Sequence, residues 1–212
     1  MIFNSKDTMV KGILMAALLI AMGAPAMAIE EPSYRILETE GEFELRKYSP
    51  HIMAETYVEG DFEAVGSEGF RRLADYIGGK NQKKESISMT APVSQDPASE
   101  KIAMTAPVSQ ARENGRWRIA FMMPSAYTMD TLPIPDDERI ALREDKEKTV
   151  AVIRYSGTWG KKRYEKHATK LIAWISTKGW KTVGESVWAR YNPPFMPWFM
   201  RRNEILIPVQ SQ

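Results

Sequence analysis

The chain has 212 residues, with 29 lysines and arginines against 27 aspartates and glutamates, a formal charge of +2, no cysteine and two histidines. These counts exclude disulfide frameworks, thiolate nucleophiles, iron–sulfur clusters and any metal site built on three imidazoles of one chain. A charge so near balance supplies no basic stripe for nucleic acid, and 43% hydrophobic with 26% charged residues is a globular composition.

Residues 1–28 read as a secretory signal peptide. Lys6 and Lys11 precede an apolar run from Gly12 to Gly23, and Ala26 and Ala28 fill the small-residue positions of an Ala-x-Ala cleavage site. Twelve residues of helix rise about 18 Å against a membrane core of roughly 30 Å, which favours cleavage after Ala28 over an uncleaved anchor. The expected product is one domain over 29–212, periplasmic or secreted, with no cysteine for disulfide staples or a lipid anchor.

Along that domain, Phe43 to Tyr48 and His51 to Glu59 alternate apolar and polar residues and predict two strands. The period then changes. Phe62, Val65, Gly69, Phe70, Leu73 and Ile77 mark a four-turn amphipathic helix, with Asp61 as N-cap and Gly78-Gly79 as its stop. Met89 to Gln95 (MTAPVSQ) returns fifteen residues later as Met104 to Gln110, and the proline in each copy places it at a strand end or edge. Arg116 to Met123 is a strand, Asp130 to Asp137 a loop and Ile140 to Glu144 a short strand. Thr149 to Tyr155 is a strand, followed by a break at Ser156 to Gly160. Tyr164, Ala168, Leu171, Ile172 and Ile175 stripe a second helix closed by Gly179, and Ser186 to Tyr191 and Glu204 to Val209 are strands. Strand, break, helix, glycine stop and strands thus occur twice. This order predicts a pseudo-duplicated α+β domain with two helices on a mainly antiparallel, barrel-like sheet.

The search for catalytic motifs is negative. There is no H-E-x-x-H or G-x-S-x-G, and Gly78-Gly79-Lys80-Asn81 lacks the spacing of a phosphate loop. Asp136-Asp137-Glu138 reads as solvated surface, His167 as a partly buried structural histidine and His51 as a turn histidine. No residue constellation argues for an enzyme.

Arg46-Lys47-Tyr48, Tyr76 to Asn81 (YIGGKN), the Met-Thr-Ala-Pro-Val segments, Ala189 to Pro194 (ARYNPP) and Arg201 to Glu204 (RRNE) form a specific set. With these, the chain resembles the SOUL haem-binding protein family from about Tyr34 to Val209. The resemblance implies a distorted β-barrel flanked by two α-helices, made of two related halves. It also implies binding of haem or another tetrapyrrole in a shallow apolar cleft. Contacts attributed to the family's first helix and to the loop after its two prolines fall here on Phe70, Ala74 and Met196, and Leu73 is added as their neighbour. Arg71, Arg72, Arg201 and Arg202 are candidates for the propionates. Some members are thought to ligate iron with a histidine in the segment matching Arg46-Lys47-Tyr48. The matching residue here is Lys47, and an ammonium with a reference pKa of about 10.4 is a poor ligand at neutral pH. His51, four residues on, is the candidate substitute, so the resemblance implies weak or non-axial ligation. The same residues have structural readings: Phe70 and Leu73 on a core stripe, the arginine pairs as solvated surface.

The loop from Tyr191 to Arg202 (YNPPFMPWFMRR) carries Phe195, Met196, Trp198, Phe199 and Met200. Either they fold back onto the sheet or they form an adaptable wall for a flat apolar ligand. Contact with a membrane surface is a third and weaker reading. The doubled scaffold also resembles bacterial effector-binding domains of the gyrase-inhibitor-like type, which implies other amphipathic small molecules as the alternative ligands.

Overall fold

The computed structural model describes residues 29–84 and 98–211; the expected signal peptide and the first copy of the repeat, Met89 to Gln95, lie outside them. The chain runs β1 (Tyr34–Glu40), β2 (Phe43–Tyr48), β3 (His51–Val58), α1 (Phe62–Ile77), β4 (Asn81–Gln82), β5 (Val108–Glu113) and β6 (Arg116–Met122). It continues with β7 (Ile134–Pro135), β8 (Ile140–Asp145), β9 (Lys148–Tyr155), α2 (Lys161–Thr177), β10 (Lys181–Thr182) and β11 (Val187–Arg190). A 3-10 turn over Trp198–Met200 then leads into β12 (Asn203–Gln210). Local chemistry explains several boundaries. Asn114 and Gly115, both at positive φ (50° and 82°), make the two-residue turn between β5 and β6. Gly79 (φ 117°) and Gly179 (φ 68°) end the two helices. Pro107 stands just before β5, where its missing N–H removes no ladder bond. Asp61 does precede α1, but its side chain makes no capping bond. β1 escapes the alternation rule because it is an edge strand with most of its side chains in solvent.

The pseudo-duplication comprises β2-β3-α1-β5-β6 and β8-β9-α2-β11-β12. In space the first strands of the two units are exchanged: β2 pairs with β9, and β8 pairs with β3, all antiparallel. The main sheet therefore runs β1-β2-β9-β12-β11-β5-β6-β3-β8, with the two units joined where β11 meets β5. The expected barrel is not closed. Among the described residues β1 pairs only with β2 and β8 only with β3, which leaves two edges. Arg143-Glu144-Asp145 on β8 and Arg35, Glu38 and Glu40 on β1 give those edges the charge that discourages strand pairing.

Both helices lie on one face. α1 buries Leu73 and Tyr76 against Ala54, Ile119 and Phe121. α2 buries Leu171, Trp174 and Ile175 against Ile153, Ile205 and Ile207. Each such side chain contributes about 1.5–3 kcal/mol. A Cβ on Gly69 would stand 2.4 Å from Ile119 Cγ1, so the close approach of α1 to β6 depends on that glycine. The opposite face holds a polar lock. The Arg46 guanidinium on β2, 1% exposed, reaches across β9 to donate from both terminal nitrogens to Glu204 on β12, at 2.8 and 3.2 Å.

Candidate functional site

The α1 periodicity that buries Val65, Gly69, Leu73 and Tyr76 leaves Gly66, Phe70 and Ala74 along one flank and Arg71 and Asp75 beside them. Together with Met104 to Ala106, Trp159 and the Arg190 to Pro194 segment, this flank encloses a groove of about 640 Å³. That size falls within the range of small-molecule sites. Its walls are mainly apolar. Phe70 is 42% exposed and meets Phe121 edge-on at 5.4 Å, so the same ring shares the core and the groove.

The groove carries positive charge. Arg71 makes no ion pair among the described residues, whereas Asp75 on the same helix face is held by Lys80 at 2.8 Å. At the inner end of the groove the Arg190 guanidinium lies 4.8 Å from the Trp188 ring and 5.4 Å from the Trp159 ring. Arg201 covers Trp159 at 4.6 Å and ties the following loop by donating to Met196 O (2.8 Å) and Pro194 O (2.6 Å). Arg202 is occupied elsewhere: it stacks on Tyr191 at 3.7 Å and pairs with Glu204 and Glu31. Arg72 is likewise engaged with Thr56, Tyr57 and Glu68.

Of the residues singled out from the sequence, Phe70, Arg71 and Ala74 come together on the groove. Arg201 flanks it through Trp159. Leu73 does not reach it; the residue is fully buried in the core beneath α1. Its place on the helix turns it one residue too far toward the sheet. Met196 and Trp198 belong to the adjoining loop and are not among the groove-lining residues. That loop does not fold back onto the sheet: Phe195 is 85% exposed, Trp198 56%, Phe199 60% and Met200 61%.

Lys47 and His51 lie elsewhere. Lys47 on β2 pairs with Glu147 at 2.7 Å. His51 Nδ1 lies 2.9 Å from the Ser49 carbonyl, and Nε2 lies 3.6 Å from Asp145, in a small cavity on the sheet face turned away from the helices. His167 stacks on Tyr155 at 3.9 Å, and burial followed by the charge of Lys170 lowers its pKa. No imidazole lines the groove among the described residues, and they contain no cluster of three or more potential metal-binding side chains.

Sequence reading missed Gly66, Trp159 and Arg190. Arg190 had a usable signal. It occupies a helix-facing position of the strand Val187–Arg190, in register two places from Trp188, where an apolar side chain is the rule.

A family model described as SOUL heme-binding protein matches residues 29–208. The chain is 30% identical over 202 residues to the Mus musculus protein named heme-binding protein 2, covering 87% of this chain and 92% of that one. It is 28% identical over 166 residues to heme-binding protein 1 of Xenopus tropicalis, covering 77% and 81%. Among solved structures it resembles the EcmrR C-terminal domain, with a TM-score of 0.54 and 12% identity, covering 84% of this chain and 99% of that one. It also resembles a structure described as a hydrolase from Listeria innocua, with a TM-score of 0.53 and 10% identity, covering 82% and 94%. At such identities the likeness is one of fold alone.

Proposed function

Because the chain belongs to the SOUL heme-binding protein family, we propose that it binds haem or a related tetrapyrrole in the α1 groove and acts as a carrier or buffer, not as an enzyme. The observation that carries this reading is the groove itself: about 640 Å³, walled by Phe70, Ala74, Met104, Trp159 and Pro193, with Arg71 and Arg190 as its cations. A tetrapyrrole supplies a flat apolar face, two carboxylates and a metal. Burial of its face against such walls contributes about 25 cal/mol per Å². The cations match the carboxylates. These are groups that hold and orient a ligand, which supports a carrier over a catalyst. The partner is then a small molecule and not nucleic acid, in keeping with a formal charge of +2.

Axial ligation is weak or absent in this reading, because Lys47 and His51 are engaged away from the groove. Residues 1–28 direct export and are removed, so the protein works in the periplasm or outside the cell. N-terminal mass analysis of the secreted or periplasmic protein tests that part, and an intact residue 1 refutes it.

Hemin titration of the mature protein tests the binding. The expected result is a shifted Soret band with saturable quenching of tryptophan fluorescence, since Trp159 lines the groove. A Soret band identical to that of free hemin, with no quenching, overturns the proposal. Co-sedimentation with vesicles, with and without hemin, shows separately whether the exposed loop Phe195 to Met200 serves the ligand or a lipid surface.

A further inference from the structure

We infer that Arg190 is a built-in receptor for a carboxylate of the ligand, so that the groove selects flat apolar acids over their neutral esters. This rests on the proposal that the α1 groove is the ligand site. The backbone alternation of β11 turns Arg190 to the helix side of the sheet, and its guanidinium lies near two indoles, Trp188 and Trp159. Nε is buried and has no hydrogen-bond partner. No carboxylate of the described residues pairs with Arg190, unlike Arg46, Arg72, Arg118, Arg139, Arg143 and Arg202, each of which has one.

Arg190 is half-buried; a partly desolvated guanidinium without a counter-ion is costly, and a site that keeps one generally has a use for it. Burial lowers its pKa to about 10, with a smaller opposing influence from Tyr155, so the group stays charged at neutral pH.

Gly66 lets the fork reach the groove. A Cβ there would crowd the two terminal nitrogens of Arg190 at 3.2 and 3.3 Å, so the guanidinium packs against the bare backbone of α1, and both residues line the groove. A carboxylate has the two acceptors that such a fork fits. Gln110 Oε1, also buried and unpartnered, would lie 3.0 Å from the same point. Arg71, nearer solvent on the same groove, suits a second carboxylate of the same ligand.

The test compares protoporphyrin IX with its dimethyl ester, both metal-free, by tryptophan quenching of the mature protein in one mixed solvent. The wild type is expected to bind the diacid about ten- to a hundredfold more tightly than the ester, the range of a charge-assisted hydrogen bond. Arg190→Met is expected to lower diacid affinity far more than ester affinity, removing most of that preference, and Arg190→Lys to restore part of it. Equal wild-type affinities overturn this inference and leave the groove as the ligand site. Parallel loss of diacid and ester binding in Arg190→Met also overturns it, by showing a packing role. Binding of neither compound to the wild type overturns both this inference and the proposed function. The wild-type comparison needs no variant, so a misfolded Arg190→Met still leaves a decisive result.

Discussion

The two helices occupy related places over the two halves of the sheet, yet their flanks differ. Along α2, Tyr164 packs near Phe62 and Trp188, with ring centroids at 5.4 and 6.3 Å, His167 stacks on Tyr155, and Trp174 stacks on Phe43 at 5.1 Å. Along α1 stand Gly66, Gly69 and Ala74. One glycine lets the helix approach the sheet; the other lets Arg190 pack against the helix backbone. The backbone plan is duplicated, but side-chain volume is not. The groove is made by what α1 omits, on a scaffold whose other half is filled with rings.

The largest effect that sharpens this comparison concerns how each half holds its exchanged strand. β2 is locked by Arg46 to Glu204, both almost fully buried, whereas β8 is held by Arg143, 43% exposed, to Glu55. Glu204→Gln leaves Arg46 with the part-exposed Glu44, at 2.6 Å, as its remaining carboxylate, and is expected to cost about 3 kcal/mol in urea unfolding. Arg143→Ala is expected to cost about 1 kcal/mol or less. Burial alone would raise the Glu204 pKa, but the hydrogen bond and charge of Arg46, with Arg202, outweigh it and hold the carboxylate below its ordinary 4.5. Its stabilisation is therefore complete above that value and is lost as pH falls through the depressed one. An acid-unfolding midpoint unchanged in Glu204→Gln would contradict this.

Next come two neighbours on α1. Leu73→Ala is expected to cost about 2–5 kcal/mol by opening a cavity in the core, with a secondary fall in ligand affinity. Phe70→Ala loses part of its contact with Phe121, so a smaller stability loss is expected, with a larger loss of hemin affinity. The reverse ranking would place the ligand elsewhere.

The two glycines separate in the same way. Gly69→Ala meets Ile119 at 2.4 Å and is expected to cost about 1–3 kcal/mol. Gly66→Ala meets only side-chain ends at 3.0–3.3 Å and gains helix propensity of about 1 kcal/mol. Its melting temperature is expected to hold or rise while porphyrin affinity falls. The smallest effect belongs to the filled half. Burial, then Lys170, depresses the His167 pKa below 6.5, so stability falls as pH drops from above 6.5 toward the lower folded value. His167→Phe keeps a ring against Tyr155 and is expected to flatten that part of the pH–stability curve, read by thermal melts between about pH 7.5 and 5.

Much of the fold was legible, for local reasons. Both helices announce themselves by three- and four-residue spacing, and β2 and β3 by alternation of apolar and polar residues. β1 was not legible, because an exposed edge strand needs no alternation. Nor was the open sheet, since the exchange of β2 and β8 is a choice of partner that no local period records. Phe70, Arg71 and Ala74 line the groove, whereas Leu73, one helical position or about 100° of rotation away, faces the core. Arg190 carried a signal, a charge where β11 should be apolar, but its meaning depends on Gly66, more than a hundred residues away in sequence.

By itself, then, the sequence determined element types, the doubled α+β plan, the family and the chemistries that a chain without cysteine and with two histidines cannot perform. Those follow from residue counts, local periodicity and ordered motifs. The tertiary structure alone decided which flank is hollow, which arginines pair with carboxylates and which line the groove without one. Ion pairing and cavity volume depend on distances between residues far apart in the chain, and a linear pattern does not contain those distances.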